Sequence, residues 1–582
     1  MNIDSNQTQE IVLLPTYKGG MDRKERSIYV LSMMLGLGLI TVFGVWWFQP
    51  QHMAQNFTGP FHVLDYILFA VLSYIVWHEI VMEAFSWYIA ETIRRPVHCP
   101  SVLPGLRVAY LTAFVPGAEP YSVLEETLQA MVGVDYPHDT WLLDEGDDPL
   151  AKSICARLGV RHYSRKGKGA FNTSHGKFMA KTKGGNYNSW FHYWGTSYDI
   201  IAQHDMDFLP RKDFLLRTLG YFSDPRVAFV GTPQIYGNLS ESWIARGAAE
   251  QTWGFYGPFQ QGLYGRDMTL LIGANHLFRT EAMRDIGGYT AHIAEDMLTG
   301  MKVYTRPWTS VYVPESLLVG EGPTTWSAYF GQQMRWAYGC MDILFRHAPQ
   351  LFSKMSWRRI CNYLLLQQFY FGGVAQAAGI VLLTLYFFFG ITPANLVLLP
   401  VLVLYVPLIT FQILFQLWLQ RFNVHPKNER GLLLRGRLLF IAAWPIFFLA
   451  FIGVLRNKRL TYVVTPKGDK QLSTRTPDLF VPHLILGSIT LCDLIIGVKL
   501  GHTSGPMIFW AALNTFFMCG FFLWEAVPEY LASLGRGIYA IQARLRRPIY
   551  TALLLLPPPT PSQEDYFLGS GRLQNRNRQS IP

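Results

Sequence analysis

Charge is scarce in this chain. Only 15% of its 582 residues are Asp, Glu, Lys or Arg, against about a quarter in an average soluble domain. Half are hydrophobic, and they cluster in runs of about 20, the length that crosses a bilayer. The composition therefore excludes an ordinary soluble protein, and the length excludes a single core. Cysteine is also sparse. Cys99, Cys155, Cys340, Cys361, Cys492 and Cys519 have no C-x-x-C or zinc-type spacing, so neither a disulfide framework nor a cysteine metal site is expected. The net charge of +10 needs no nucleic-acid partner, because basic residues flanking membrane spans give the same total. No cleavable signal peptide is evident. The first apolar run begins near Tyr29 and is long enough to remain as an anchor.

Basic residues are missing from particular loops, and this orients the chain. Apolar runs over 29–48 and 64–90 are joined by a loop, 49–62, that contains no Lys or Arg, and Arg94 and Arg95 follow the second run. The positive-inside rule then places the N-terminus and everything after Arg94 in the cytoplasm. Further spans are expected at 360–389, 396–419, 480–498 and 507–527. The stretches 421–437 and 456–475 carry five and six basic residues, so both read as cytoplasmic. An apolar run at 438–455 lies between them, and parity makes it an interfacial or re-entrant helix. Six spans with both termini inside result. The tail beyond Pro557-Pro558-Pro559 has a disordered composition. Within the second span, Glu79 and Glu83 share one helix face. They either line a polar path or are wet at the cytoplasmic interface. Asn56-Phe57-Thr58 is a glycosylation sequon on an outside loop.

The middle of the chain is different. Short apolar runs at 108–115, 140–143, 160–163, 200–202, 227–230 and 270–275 alternate with helical patterns such as 123–131 and 151–158. That rhythm predicts a mostly parallel, nucleotide-type sheet, whose ligands bind beyond the carboxyl ends of the strands. Acids stand at those ends. Asp144 opens Asp144-Glu145-Gly146-Asp147-Asp148, and Asp205-Met206-Asp207 follows Ile200-Ile201-Ala202. Two carboxylates so placed can share one hard cation, Mg²⁺ or Mn²⁺, although solvated loop acids give the same tripeptide. Lys183 precedes Gly184-Gly185, a flexible pair suited to a phosphate or base, or to a surface turn, ahead of a helix from Ser189. Glu295-Asp296 precedes a helix over 297–304. Gln332-Gln333-Met334-Arg335-Trp336 lies on an amphipathic interfacial helix. There Arg335 can clamp a diphosphate, and Trp336 either stacks on a sugar or anchors the interface.

Taken together and in order, these motifs resemble those of the processive, membrane-embedded family-2 glycosyltransferases, with bacterial cellulose synthase the nearest likeness. The family order is D, D-x-D, T-E-D, Q-x-x-R-W. Here it reads Asp144, Asp205-Met206-Asp207, Ala294-Glu295-Asp296 and Gln332-Gln333-Met334-Arg335-Trp336, and the gating loop F-x-V-T-x-K reads Tyr462-Val463-Val464-Thr465-Pro466-Lys467. The resemblance covers about residues 60–530. It implies a GT-A-like α/β domain between transmembrane regions, with Asp296 as general base, Asp144 and Asp205 near the nucleotide and Asp207 on Mg²⁺ or Mn²⁺. Glu119, Lys183, Gln332, Arg335, Trp336, Thr465 and Lys467 are implied to bind substrate. Departures are Ala294 for threonine, Tyr462 for phenylalanine, Glu145 for the second aspartate of D-D-G, and a degraded first-strand motif at 114–120, in which Glu119 is the residue that would keep the nucleotide contact. No cyclic-di-GMP-binding PilZ domain fits after the last span.

The expected organisation is a cytoplasmic segment 1–28, two membrane helices in 29–95, and a glycosyltransferase domain at 100–325. Interfacial helices at 326–358 follow, then a channel region at 360–530, with the interfacial helix 438–455 and the gating loop 456–475, and a tail from 531 to 582. The expected partners are a UDP-sugar, the growing polysaccharide and membrane lipids, with accessory subunits left open, and the expected location is the plasma membrane. A non-processive transferase with a lipid acceptor would lack the need for Q-x-x-R-W. A chitin- or hyaluronan-type synthase would share that motif. A transporter with a regulatory domain would not need acids at four separate sites.

Overall fold

The computed structural model of the chain describes residues 17–97, 99–457 and 476–526. Helix α1 (Arg23–Trp47) starts at a capping box in which Asp22 accepts from the Glu25 N–H and the Glu25 side chain accepts from the Asp22 N–H. Helix α2 is Val63–Ala90. Between them Asn56 is fully engaged. Its Nδ2 donates to Asp65 Oδ1 at 2.7 Å and to the Thr392 carbonyl at 2.8 Å, and its Oδ1 accepts from the Thr392 N–H at 3.0 Å.

The α/β domain follows. Its main sheet has seven strands, β1 (Val108–Phe114), β2 (Asp139–Asp144), β3 (Arg161–Tyr163), β4 (Ile200–His204), β5 (Val227–Gly231), β6 (Asn275–Arg279) and β7 (Thr309–Tyr312), in the order β7-β5-β6-β4-β1-β2-β3. All neighbours are parallel except at β6, which runs antiparallel to both β4 and β5. The expected mostly parallel sheet is thus present. Strands β4 and β5 are buried along their whole length, as strands covered on both faces must be.

Around the sheet lie α3 (Tyr121–Val132), α4 (Pro149–Leu158), α5 (Lys183–Trp194), α6 (Trp243–Gly254) and α7 (Glu295–Val303). Two expectations are corrected here. The run 270–274 is not a strand. The Gln260 side-chain amide pairs with the Leu270 backbone, accepting from its N–H at 3.1 Å and donating to its carbonyl at 3.3 Å, so a side chain replaces the neighbouring strand. The strand begins instead at Asn275. The Gly184-Gly185 pair is neither flexible nor at the surface. Helix α5 already starts at Lys183, with the Thr182 hydroxyl accepting from the Gly185 N–H. Both glycines are buried, and a Cβ would lie 2.4 Å from the Thr290 carbonyl at Gly184 and 2.2 Å from the Met179 carbonyl at Gly185. Close packing, not chain freedom, requires them.

After the sheet come α8 (Trp326–Asp342), α9 (Gly372–Phe389), α10 (Leu398–Leu419), α11 (Leu434–Leu455), α12 (Val481–Leu500) and α13 (Gly505–Phe521). Among the described residues, seven helical segments are long and apolar enough to cross a membrane. Six coincide with the spans read from sequence. The seventh, α11, is the run expected to lie at the interface, and half of its most apolar window is buried. It packs along α6 and α8. Gly436 at its start donates its N–H to Glu250 and accepts from Gln251 Nε2, both on α6. Gly247 of α6 makes room for Leu439, which a Cβ would approach to 2.7 Å.

Candidate active site

Three loops meet beyond the carboxyl ends of adjacent strands β2, β1 and β4. The β4 loop carries the two aspartates and is pinned on every side. The Asp205 N–H donates to Ala274 at 2.8 Å, the Phe208 N–H donates back to the Asp205 carbonyl at 3.0 Å, and Thr127 Oγ1 donates to the Met206 carbonyl at 2.6 Å. Met206 is buried in the core, Asp207 is nearly buried, and the Asp205 side chain is 42% exposed. His204 braces the turn by donating from Nδ1 to the Asp205 carbonyl. Burial pushes its pKa down to about 4, so it is neutral.

Lys183 joins this turn to the acid pair. Its Nζ lies 2.5 Å from Asp205 Oδ1, donates to the Gly273 carbonyl at 2.7 Å and stands 4.0 Å from Glu295 Oε1. The lysine and Glu295 side chains are only 10% and 12% exposed. Asp296 accepts from the Gly273 N–H at 2.8 Å and from the Met297 N–H at 2.7 Å. Gly273 permits that approach, because its Cβ would already stand 3.0 Å from Asp296 Oδ2. Burial, reinforced by Asp296, pushes the Glu295 carboxyl up to about 8, and burial also raises Asp296. The Lys183 ammonium opposes both rises and is itself held protonated by Asp205 against its own burial.

Asp144 is fully buried at the end of β2. Its oxygens accept from the Gly146 N–H at 2.8 Å and the Asp148 N–H at 2.5 Å, and Oδ2 is 3.0 Å from His162 Nε2. It shapes its loop from beneath. Glu145 pairs at 2.6 Å with Arg165, a completely buried guanidinium that also donates to the Phe171, Met179 and Thr182 carbonyls. Glu119 accepts from the Val115 N–H at 3.2 Å and so closes its own turn. Gly146 lets that turn approach, since a Cβ there would fall 2.4 Å from Pro116 Cγ.

Helix α8 covers the same end of the domain. Gln332 Nε2 donates to Tyr236 Oη at 3.3 Å, as does Gln234 Nε2 at 3.2 Å, and Tyr256 Oη donates to Gln234 Oε1 at 2.9 Å. Gln333 is buried, and Arg335 and Trp336 are half-buried. Lys183, Asp205, Glu295 and Asp296 thus form one cluster, in which Lys183 bonds Asp205 and stands at ion-pair distance from Glu295 while Gly273 links it to Asp296, and Asp144 and Glu119 belong to the neighbouring loops. Thr465 and Lys467 lie outside the described residues. Sequence reasoning missed Glu295 as a partner of Lys183, and it missed His204, Tyr236 and Arg165. The one signal for Arg165 is its position just past β3, where a basic residue opens a loop rich in glycine and lysine.

The donor set Asp205 and Asp207, two carboxylates one residue apart on a rigid turn, has the hard oxygen chemistry that suits Mg²⁺ or Mn²⁺. Asp205 is engaged by Lys183 in the structure, so part of the counter-charge is built into the protein.

Residues 200–415 match the family model described as "Glycosyl transferase family group 2". Among individual relatives, the chain is 30% identical over 223 residues to a UDP-forming cellulose synthase catalytic subunit of Dictyostelium discoideum, covering 37% of this chain and 20% of that one. It is 26% identical over 364 residues to the cellulose synthase catalytic subunit [UDP-forming] of Xanthomonas axonopodis pv. citri (strain 306), covering 59% of this chain and 46% of the relative. The chain therefore spans less than half the length of either. A mannosyltransferase of Pyrobaculum calidifontis, solved in complex with GDP-Man and Mn²⁺, aligns along its whole length with 67% of this chain at 15% identity and a TM-score of 0.44.

Proposed function

We propose that the chain is a processive, inverting hexosyltransferase that polymerises a β-linked polysaccharide, a β-glucan, from a UDP-sugar at the cytoplasmic face of the plasma membrane and passes it outward. The observation that carries this reading is the Lys183–Asp205–Glu295–Asp296 cluster, in which a shielded cation and an acid pair meet at the carboxyl end of the sheet. The matches to UDP-forming cellulose synthase subunits support it.

In this reading the donor lies over the loops after β1, β2 and β4. Asp205 and Asp207 would hold a divalent ion, which supplies positive charge to the leaving diphosphate. Arg335 adds positive charge on the same group. Asp296 takes the proton from the acceptor hydroxyl, and the two backbone N–H donors leave its outer lone pairs for that proton. Its raised pKa brings it nearer the working pH, where a general base is most effective. The acceptor oxygen bonds to the anomeric carbon as UDP leaves, so an α-linked donor gives a β-linkage. Gln332 and Trp336 hold the acceptor end, and Thr465 and Lys467 close over the nucleotide. The packing of α11 on α6 supports its interfacial placement, and six spans then leave both ends of the membrane region cytoplasmic.

UDP release from nanodisc-embedded protein with a panel of UDP-sugars, with the product digested by linkage-specific glucanases, tests this. A high-mass digestible product is expected, and Asp296→Asn should abolish transfer while sparing UDP binding. Normal turnover in Asp296→Asn would remove the base assignment, and a short lipid-linked product would replace processive synthesis with transfer to a lipid acceptor.

A further inference from the structure

Helix α7, which carries Asp296 in its first turn, begins without a side-chain cap. Its N-cap residue is Ala294, where the family resemblance puts a threonine. An alanine there forgoes the hydrogen bond that Ser, Thr, Asp or Asn accepts from the N–H groups of the first turn. The structure has a different acceptor at this turn. The Ala294 N–H donates to His292 Nδ1 at 3.0 Å. With Nδ1 accepting, the proton of the neutral ring is on Nε2, 3.0 Å from Asp342 Oδ2. Burial pushes the His292 pKa down to about 4, so the ring is neutral and this tautomer holds.

Asp342 is the last residue of α8, the helix that bears Gln332, Arg335 and Trp336. Its other oxygen pairs with Arg346, which donates to the Val454 carbonyl at the end of α11 at 2.7 Å. A second contact fixes the same two elements. Gly339 of α8 lies so close to Ala294 that a Cβ on it would fall 2.6 Å from the alanine's own Cβ. The helix that would carry acceptor contacts and the turn that carries the carboxylate are thus joined by one hydrogen-bonded arm and one tight backbone approach.

His292, Asp342 and His347 also have the donor types and spacing of a metal centre, with ligand atoms within 4.8 Å of one another. Their hydrogen bonding speaks against it. The Nε2 proton of His292 faces the carboxylate, and the Arg346 guanidinium occupies the carboxylate's other oxygen.

We propose that His292, clasped by Asp342, is a positioning residue that accepts the N–H of the N-cap residue Ala294, fixes the turn ahead of α7 and holds α8 in register with Asp296. The inference rests on the assignment of Asp296 as base under the proposed function. Its test compares His292→Ala, His292→Asn and Asp342→Asn with Asp296→Asn in nanodiscs, by UDP-release kinetics, UDP affinity and Tm. In His292→Asn the new amide oxygen occupies nearly the position of the imidazole Nδ1, so this variant keeps the Ala294 bond and loses only the arm to Asp342. His292→Ala should lower kcat by about 10- to 100-fold, the range that a misplacement of about 1 Å brings, with UDP affinity within about twofold of wild type. His292→Asn, which keeps the Ala294 bond but lacks the arm, should recover only part of that loss, and Asp342→Asn should cost less than His292→Ala. Wild-type kcat in His292→Ala beside an inactive Asp296→Asn would overturn the clasp alone, whereas a fully active Asp296→Asn would overturn the base assignment. Equal losses of kcat and UDP affinity in both His292 variants would reduce the residue to a general structural role and overturn the proposal. Turnover abolished by a zinc-selective chelator in saturating Mg²⁺ would overturn it in favour of a bound metal.

Discussion

Removing the Lys183 charge should move the pH dependence of transfer. Lys183→Met keeps the length and apolar stem of the side chain and deletes only the ammonium, which also stands 5.9 Å from the centre of the Tyr187 ring. That ammonium stands 4.0 Å from Glu295 Oε1, and both side chains are largely shielded from water. Unit charges about 4 Å apart interact by about 4 kcal/mol at an effective dielectric constant near 20. At about 1.36 kcal/mol for each pH unit, the ceiling is about three pH units. Asp205, 42% exposed, already draws on the same cation, so a rise of about one to two pH units is expected in Glu295, and Asp296 should rise with it. The direction follows from the charges. The cation opposes the burial-driven rise in Glu295 and Asp296, so without it both pKa values climb further. A general base works only when ionised, and the acid limb of kcat therefore shifts to higher pH. At a pH below the new limb, the rate falls about tenfold for each pH unit the limb has moved and recovers on raising the pH. UDP release at saturating donor, measured across the pH range with wild type and Lys183→Met in parallel, reads this directly. An acid limb that stays in place in a variant with wild-type Tm would refute the coupling between Lys183 and the acid pair.

Glu295→Gln should stabilise the domain at alkaline pH. The folded pKa of about 8 lies above the ordinary 4.5, so the stability contributed by the protonated carboxyl is full below about 4.5 and lost as pH rises through about 8. The Tm advantage of the variant should be small near pH 5 and reach at least about 2–4 °C near pH 9, the shift that 1 kcal/mol gives in a domain of 150–250 residues. A pH-independent difference would count against the buried carboxyl. Gly184→Ala places a Cβ 2.4 Å from the Thr290 carbonyl and should destabilise by about 1–3 kcal/mol, read as a lowered Tm, whereas an unchanged Tm would show that the helix can shift freely. Asn56, engaged by Asp65 and Thr392, should remain unmodified in a glycosylating host, with electrophoretic mobility unaffected by an N-glycosidase.

What the sequence made legible were features that repeat with a fixed period or end on an unusual residue. The central strands read as apolar runs because both faces are covered. The acids at 205, 207 and 296 stood out because each interrupts such a pattern. Features that depend on a distant partner did not read. The strand expected at 270–275 has the right composition, but Gln260, ten residues earlier, supplies the hydrogen bonds that a neighbouring strand would. Gly184 and Gly185 look like chain-loosening residues until the Thr290 and Met179 carbonyls are seen against them. Lys183 could be placed near a phosphate by its type alone. Its tie to Asp205 and Glu295 crosses from one helix start to another, and no local pattern encodes that.

The same distinction explains α11. By length and hydropathy it is equivalent to the six other apolar helices, since both measures report only how readily a segment leaves water. Neither says what receives it. A helix facing lipid offers side chains to hydrocarbon and keeps its backbone polar groups to itself. The first turn of α11 does otherwise, because the Gly436 N–H and carbonyl both bond to side chains of α6, Glu250 and Gln251, in the α/β domain. Arg435 reaches the same glutamate. Those bonds fix one end of the helix to the domain that carries Asp205. At its other end the Val454 carbonyl accepts from Arg346, the partner of Asp342. Through these two attachments an apolar helix is fastened at both ends to elements that frame the carboxylate site, so that its placement and the geometry of that site are set together.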